Sequence, residues 1–181
     1  MASWPAIARR IRVPLTFAFA VAYLWLARPT ARSILVGGIV VLPGLILRMI
    51  ASGHVQKNEQ LTTAGPYAHT RNPLYLGSLI IAAGFAVAAK SLWIALAIIV
   101  IFAAIYIPVI RNEEAFLRHR FAEFDDYARS VPALIPRFRP FRNLPASFSW
   151  DLYLQHREYN AIVGSIAMML ALAAKLYWLS K

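Results

Sequence analysis

The sequence predicts an all-α, polytopic membrane protein with about five transmembrane helices. The chain of 181 residues is 60% hydrophobic and 15% charged, whereas soluble domains are about 45–50% apolar and about 25% charged. The apolar residues fall in long blocks, and most basic residues flank those blocks. Both features are typical of helices that cross a lipid bilayer.

Five apolar blocks are candidates for these helices. They are Val13–Ala27, Ile34–Ala51, Leu74–Ala89, Leu92–Ile110 and Ala161–Leu179. A straight span needs about 20 residues, so the first and third blocks need flanking residues to cross fully, or lie partly in the interface. Pro43 predicts a kink in the second block. Only Lys90 and Ser91 separate the third block from the fourth, which predicts a tight helical hairpin.

The first block has two interpretations. Arg9, Arg10 and Arg12 precede a short apolar run, as in a cleaved signal peptide. The residues that follow offer a poor cleavage site, however, and four more apolar blocks come after it. We therefore expect a retained first helix.

The basic residues predict the orientation of the helices. With the N-terminus in the cytoplasm, most arginines and lysines lie inside, as the positive-inside rule requires. The C-terminus then lies outside, and residues 52–72 and 111–160 form two cytosolic segments. The charge of +11 is explained by orientation and anionic headgroups, so we expect no nucleic-acid partner.

Residues 111–131 carry a rough apolar stripe that predicts a helix. Prolines at 132, 136, 140 and 145 then break the chain into a loop. Within that loop RFRPFR, at 137–142, alternates cations and rings, as an interfacial anchor does.

The sequence gives no indication of a metal site or of a reactive thiol. The chain has no cysteine, which excludes disulfides and cysteine ligands. No two of its four histidines share a helix face, so we expect neither a haem nor a zinc site.

The stretch GPYAHTRNPLYLG, residues 65–77, concentrates polar chemistry at the start of the third block. Pro73 suits the first position of a helix and Asn72 suits its N-cap. Arg71 and the free N–H groups there could bind a carboxylate or phosphate, while Tyr67 and Tyr75 could stack on a ligand. On residue types alone, a capped helix with Arg71 reaching lipid headgroups explains the stretch better.

Glu113 and Glu114 follow the fourth block directly. Such carboxylates could accept hydrogen bonds from ribose hydroxyls or an ammonium group. Taken alone, they are better explained as a solvated pair near Arg111, with Glu114 and Arg118 forming an i, i+4 surface pair.

Taken together, the two stretches resemble the isoprenylcysteine carboxyl methyltransferase and phospholipid methyltransferase superfamily. The family pattern is roughly G-P-Y-x-x-x-R-H/N-P-x-Y-x-G, then E-E-x-x-L-x-x-x-F-G-x-x-Y-x-x-Y and a V-P-x-x-x-P tail. The chain matches at Gly65, Pro66, Tyr67, Arg71, Asn72, Pro73, Tyr75, Gly77, Glu113, Glu114, Leu117, Phe121, Tyr127, Val131 and Pro136. The resemblance covers about residues 52–137 and includes the intervening hairpin.

The resemblance implies an integral membrane enzyme that uses S-adenosylmethionine, releases S-adenosylhomocysteine and needs no metal. It implies a cytosolic cofactor-binding cap. Its expected cofactor-binding residues are Gln56, Gln60, Leu61, Thr62, Tyr67, Arg71, Asn72, Pro73, Leu74, Tyr75 and Glu113. The expected catalytic residues are Glu113, Glu114 and Arg111.

The acceptor is expected to be lipid-like, isoprenoid or another hydrophobic small molecule drawn from among membrane lipids. A phospholipid amine, an isoprenoid carboxylate and a small alcohol or thiol all stay open. Asn72 stands where eukaryotic carboxyl methyltransferases have histidine. Ala122 and Phe124 stand in place of a Gly and a Tyr of the second motif, and Val109 falls near the position of a carboxylate-gripping arginine. These departures argue against carboxyl methylation of a prenylated protein.

The sequence thus predicts one membrane domain over residues 1–181. Residues 52–137 form the methyltransferase core, and 138–181 form an interfacial loop and a C-terminal transmembrane helix. We expect a bacterial-type inner membrane location. An NADPH-dependent reductase of sterol-reductase type and a non-enzymatic scaffold or transport subunit are the alternatives, and the oligomeric state stays open.

Overall fold

The computed structural model describes residues 19–56, 60–142 and 147–181, and the regular structure in these ranges is helical. A first helical segment covers 19–26. The helices that follow are α1 (Ala31–Ser52), a 3₁₀ helix (Gly65–Ala68), α2 (Pro73–Ala89), α3 (Leu92–Ile101), a π turn (Phe102–Tyr106), α4 (Ile107–Arg120), α5 (Phe124–Ser130), α6 (Trp150–Gln155) and α7 (Tyr159–Leu179). The predicted all-α membrane fold is confirmed.

Within the part of the chain that the structure describes, three helices are long and apolar enough to cross a membrane. They are Ala31–Ser52, the continuous helix Leu92–Arg120 and Tyr159–Leu179, and the apolar helix Pro73–Ala89 is shorter. The first predicted block, Val13–Ala27, lies partly outside the described residues. Helix α1 continues through Pro43.

Helices α1 and α2 cross closely because glycines face one another. A Cβ at Gly37 would lie 2.6 Å from the carbonyl oxygen of Gly84, and a Cβ at Gly44 would lie 2.8 Å from that of Gly77. In membranes, small residues allow such close approach, and van der Waals packing then holds the helices together. This crossing fixes the start of α2 against the last turns of α1.

At the end of the bundle near Lys90, a lysine of α7 donates hydrogen bonds to backbone carbonyls. Lys90 ends α2 in a left-handed conformation (φ 50°), and the predicted hairpin to α3 follows directly. The ammonium group of Lys175 on α7 donates to the carbonyls of Leu24 and Ala27 at 2.5 and 2.6 Å. Lys175 therefore satisfies the free carbonyls at the end of the first helical segment.

At the opposite, polar end of the bundle, the chain turns sharply after α4. Residues 111–131 were expected to form one helix, but Phe121 is extended (φ −125°, ψ 118°) and α5 begins at Phe124. The break lets Phe124, Tyr127 and Val131 form a small buried cluster. A loop follows through the prolines at 132, 136 and 140, while Pro145 lies outside the described residues.

Candidate active site

The candidate site is built around the first turn of α2. Pro73 is the first residue of the helix, as predicted. Asn72 occupies the N-cap position, but its side chain makes no capping bond. Its amide instead donates to Glu114 Oε1 (3.2 Å) and to the carbonyl of Ala133 (3.1 Å). Asn72 therefore ties α2 to α4 and to the loop after α5.

Arg71 makes the strongest connection between the two sequence motifs. Its Nε and Nη2 donate to the two carboxylate oxygens of Glu114 at 2.9 and 3.0 Å. Its Nη1 donates to the carbonyls of Ala128 and Val131. The side chains of Arg71 and Glu114 are only 14% and 18% exposed. The expectation that Arg71 reaches lipid headgroups is therefore wrong.

The predicted surface pair between Glu114 and Arg118 is also wrong. Arg118 donates to Asp125 at 2.7 Å, because the break after α4 folds α5 back within its reach. Glu114 pairs with Arg71, which comes from a different helix. Spacing along one helix cannot reveal such a partner.

The second contact between the motifs joins Tyr75 to Glu113. The hydroxyl of Tyr75 donates to Glu113 Oε1 at 2.9 Å. Tyr106, in the π turn, packs edge-on against the Tyr75 ring with centroids 5.5 Å apart. Both glutamates thus contact the start of α2, and the two motifs lie in one site.

The loop after α5 fastens the stretch before α2. The backbone N–H of Arg137 donates to the carbonyl of His69, and His69 Nδ1 donates back to the carbonyl of Arg137. The Thr70 hydroxyl donates to the carbonyl of Ala133. These bonds account for His69 and Thr70 as structural residues.

A polar cavity of about 400 Å³ opens between these elements. It is lined by the expected cofactor-binding residues Gln56, Gln60, Leu61, Thr62, Tyr67, Arg71, Asn72, Pro73, Leu74 and Tyr75, and by Glu113 and Glu114. Arg111 is exposed and lies outside this lining. The volume falls within the range of about 300–1,000 Å³ that is usual for small-molecule sites.

Two charged residues of the cavity wall, Arg48 and Glu158, were not predicted as site residues. Arg48 Nε and Nη2 donate to Glu158 Oε2 at 3.0 and 2.7 Å. Arg48 Nη1 also donates to the Ser78 hydroxyl and, at 3.3 Å, to the carbonyl of Leu74. The signal was an arginine inside an apolar block, since a charge at such a position needs a partner. Its partner, 110 residues away in the sequence, could not be identified from it.

A second cavity of about 740 Å³ lies between the helices and is mostly apolar. Phe19 and Tyr23 of the first helical segment line one side, and Phe85 and Ile98 line another. Arg48 lines both cavities. The polar and apolar cavities therefore adjoin at the Arg48 side chain.

The electrostatics of the polar cavity differ from those of the whole chain. Two arginines and three glutamates line it, which gives a formal charge of −1 in a chain of charge +11. Within the described residues, two of the glutamates are in ion pairs, and Glu113 has only the Tyr75 hydroxyl. Among the described residues, one carboxylate of the cavity thus has no compensating ion pair.

Two neutral groups complete the wall. The hydroxyl of Thr62 is buried and has no hydrogen-bond partner among the described residues, so it is available to a ligand. Burial raises the pKa of the Tyr67 hydroxyl, with smaller contributions from nearby Tyr127 and Glu113. Tyr67 is protonated at neutral pH, as an ordinary tyrosine is, and can donate a hydrogen bond.

This arrangement defines the class of protein: an integral membrane helical bundle whose polar end encloses a charged cavity beside an apolar one. The chain belongs to the phospholipid methyltransferase family, whose model matches residues 33–123. The matched region includes most of α1, all of α2, the hairpin and both glutamates.

The similar curated proteins have names that refer to metal resistance. The nickel-cobalt-cadmium resistance protein NccN of Alcaligenes xylosoxydans xylosoxydans is 38% identical over 116 residues, covering 64% of this chain and 49% of that protein. The cobalt-zinc-cadmium resistance protein CzcN of Cupriavidus metallidurans is 35% identical over 105 residues, covering 58% of this chain and 47% of that protein. The chain thus spans about half the length of these relatives. No solved structure matches it.

Proposed function

We propose that the protein is an S-adenosylmethionine-dependent methyltransferase that acts on a lipid-like or isoprenoid acceptor at the membrane interface. The observation that carries the proposal is the single cavity that both family motifs line, next to an apolar cavity. A charged, water-soluble cofactor and an apolar acceptor need such a pair of adjoining spaces. Family membership supports a methyltransferase over other membrane enzymes.

The residues of the polar cavity fit this cofactor chemically. Its sulfonium and ammonium groups and its one carboxylate give the cofactor a net charge of +1, and the cavity lining carries −1. The free oxygen of Glu113 can accept from an ammonium or a ribose hydroxyl. Thr62 and Tyr67 offer hydroxyl groups, and Tyr75 offers a ring face.

Arg71 and Glu114 would position the other residues of the cavity wall. Their bidentate pair holds α2 and α4 at a fixed distance, so the cavity wall is organised before a ligand binds. When bound, the cofactor would supply an electrophilic methyl group. The chain would contribute by holding acceptor and cofactor in line and by excluding water from the reacting atoms.

Proton removal would be needed if the acceptor is an amine, alcohol or thiol in its neutral form. Of the two glutamates predicted from the sequence, Glu113 is the better proton acceptor, since it lies on the cavity wall while Glu114 is held by Arg71 and Asn72. Arg111, which was expected to contribute to catalysis, would have to turn toward the cavity from the exposed face of α4. In this proposal the polar end is cytoplasmic, the C-terminus lies outside, and the membrane is a bacterial inner membrane.

The proposed extent of the enzyme is the whole membrane domain, 1–181. The core at 52–137 stays a prediction, and Arg48 and Glu158 join its cavity from outside that range. Residues 138–181 would then supply the interfacial loop and a helix that takes part in the site.

Isothermal titration of the purified protein with S-adenosylhomocysteine tests the proposal. We expect saturable binding that Tyr75→Ala weakens about tenfold or more, because the variant loses a ring contact and the bond to Glu113. Tyr177→Ala, at the opposite end of the bundle and exposed, is the matched control and should bind like the parent.

Two other results would redirect the proposal. NADPH binding without S-adenosylhomocysteine binding would favour the reductase alternative. Absence of binding by a folded sample, with normal cellular function of a Glu113→Ala, Glu114→Ala double variant, would favour the scaffold alternative.

A further inference from the structure

The ion pair between Arg48 and Glu158 forms the boundary between the two cavities. Arg48 lies on α1 and Glu158 at the start of α7, and Ser78 on α2 completes the cluster. Arg48 and Glu158 line the polar cavity, while Arg48 and Ser78 line the apolar one. Arg48 is shared by the two linings, so the cluster lies where the two cavities meet.

Among the described residues, one N–H group of Arg48 and one carboxylate oxygen of Glu158 are left without a partner. A guanidinium group carries five N–H groups, and four hydrogen bonds from Arg48 end on Glu158, Leu74 and Ser78. Both bonds to Glu158 end on Oε2, so Oε1 has no partner among the described residues. The ion pair can therefore offer a ligand one N–H donor from Arg48 and one carboxylate oxygen from Glu158.

Beyond the cluster, the apolar cavity accepts hydrocarbon. Its wall is formed mainly by alanine, isoleucine and phenylalanine side chains, and its polar lining residues include Arg48, Ser78, Asn160 and Ser165. At 740 Å³, it is larger than the polar cavity. An elongated molecule with one polar end would place that end against Arg48.

We propose that the Arg48–Glu158 pair binds the polar end of the acceptor, and that this end is an uncharged group able both to accept and to donate a hydrogen bond. The acceptor is then a long-chain neutral lipid, such as an alcohol. The remaining N–H of Arg48 donates to it, and it donates to Glu158 Oε1. This inference rests on the proposed function, because it names the acceptor class of that site.

The charges explain why the bound end is neutral. The pair is electrically balanced and only partly exposed, at 22% for Arg48 and 14% for Glu158. A carboxylate placed there would lie beside the carboxylate of Glu158, and an ammonium would lie beside the guanidinium. Like charges at such range are strongly unfavourable in a poorly solvated site.

Direct binding of model lipids to the detergent-solubilised protein tests the proposal. Radiolabelled hexadecanol, hexadecanoate and hexadecylammonium share one hydrocarbon chain and differ in charge. We expect hexadecanol to bind at least about tenfold more tightly than either ion. In Glu158→Gln, Arg48 becomes an unbalanced cation, so the preference should turn toward hexadecanoate. A purely structural pair would not produce this reversal.

A second pair of variants tests the apolar cavity without altering charge. A Cβ at Gly164 or at Gly38 meets no atom within 4 Å, but only Gly164 lines the cavity. Gly164→Leu should therefore fill the cavity and weaken hexadecanol binding about tenfold or more, while Gly38→Leu should bind like the parent. If Glu158→Gln does not fold, the preference of the parent protein among the three lipids, together with this pair, decides the proposal.

Titration with S-adenosylhomocysteine separates the two proposals. If the parent protein binds it, but all three lipids bind equally and Gly164→Leu matches Gly38→Leu, this inference is overturned and the methyltransferase proposal stands. If the parent does not bind it, the methyltransferase proposal fails, and with it the acceptor role.

Discussion

Replacement of Arg71 by alanine tests the connection that joins the two motifs. The guanidinium donates to both oxygens of Glu114 and to the carbonyls of Ala128 and Val131. Removing one partner of a buried ion pair costs about 3–5 kcal/mol, because the other charge is left without compensation. At about 2–4 °C per kcal/mol for a chain of this size, the melting temperature should fall by about 6–20 °C.

The assay is thermal unfolding of the purified protein in detergent, followed by circular dichroism. Arg118→Ala is the matched control, since Arg118 also pairs with a carboxylate but at 51% and 57% exposure. Solvent screens that pair, so its loss should leave the melting temperature unchanged within error. Equal melting temperatures for the two variants would refute the argument that the Arg71 pair is a buried connection.

Two further predictions concern packing and pH. Gly84→Ala should destabilise the protein by about 1–3 kcal/mol, because the new Cβ would lie 2.9 Å from the backbone nitrogen of Val41. Gly38→Ala, whose Cβ would meet no atom within 4 Å, should be neutral in the same thermal assay. Equal effects of the two substitutions would contradict the close crossing of α1 and α2. Burial raises the pKa of Tyr127 above its ordinary value of 10.0, so its stabilising contribution is complete below pH 10 and is lost as the pH rises further. The melting temperature should therefore fall above pH 10, and less steeply in Tyr127→Phe; identical slopes would show that Tyr127 is not the group responsible.

The local features of the fold could be predicted from the sequence. Apolar blocks indicated the membrane helices, Lys90 and Ser91 indicated the hairpin, and Pro73 indicated the first residue of α2. Each of these features depends on short-range chemistry, such as the missing N–H of proline. The break at Phe121 was missed because burial of the Phe124 cluster outweighs a continuous helical pattern there.

Most of the expected site residues line the polar cavity, but their connections to one another could not be predicted. The residues around Arg71 and the two glutamates were identified from motifs, and they line one cavity. The pairing of Glu114 with Arg71 in place of Arg118 depends on how two helices meet. The role of Glu158 could not be predicted for the same reason, since its partner Arg48 lies on another helix, 110 residues away in the sequence.

The last helix is fastened at both ends, by Arg48 at Glu158 and by carbonyl groups at Lys175. Positions 158 and 175 are 17 residues apart, and a rise of 1.5 Å per residue separates the two anchors by about 26 Å. The hydrocarbon core of an average bilayer is about 30 Å thick. The apolar stretch of this helix between its two anchors is therefore a few ångströms shorter than an average hydrocarbon core. Lipids with shorter acyl chains match it without deformation, whereas longer ones must compress or tilt around it.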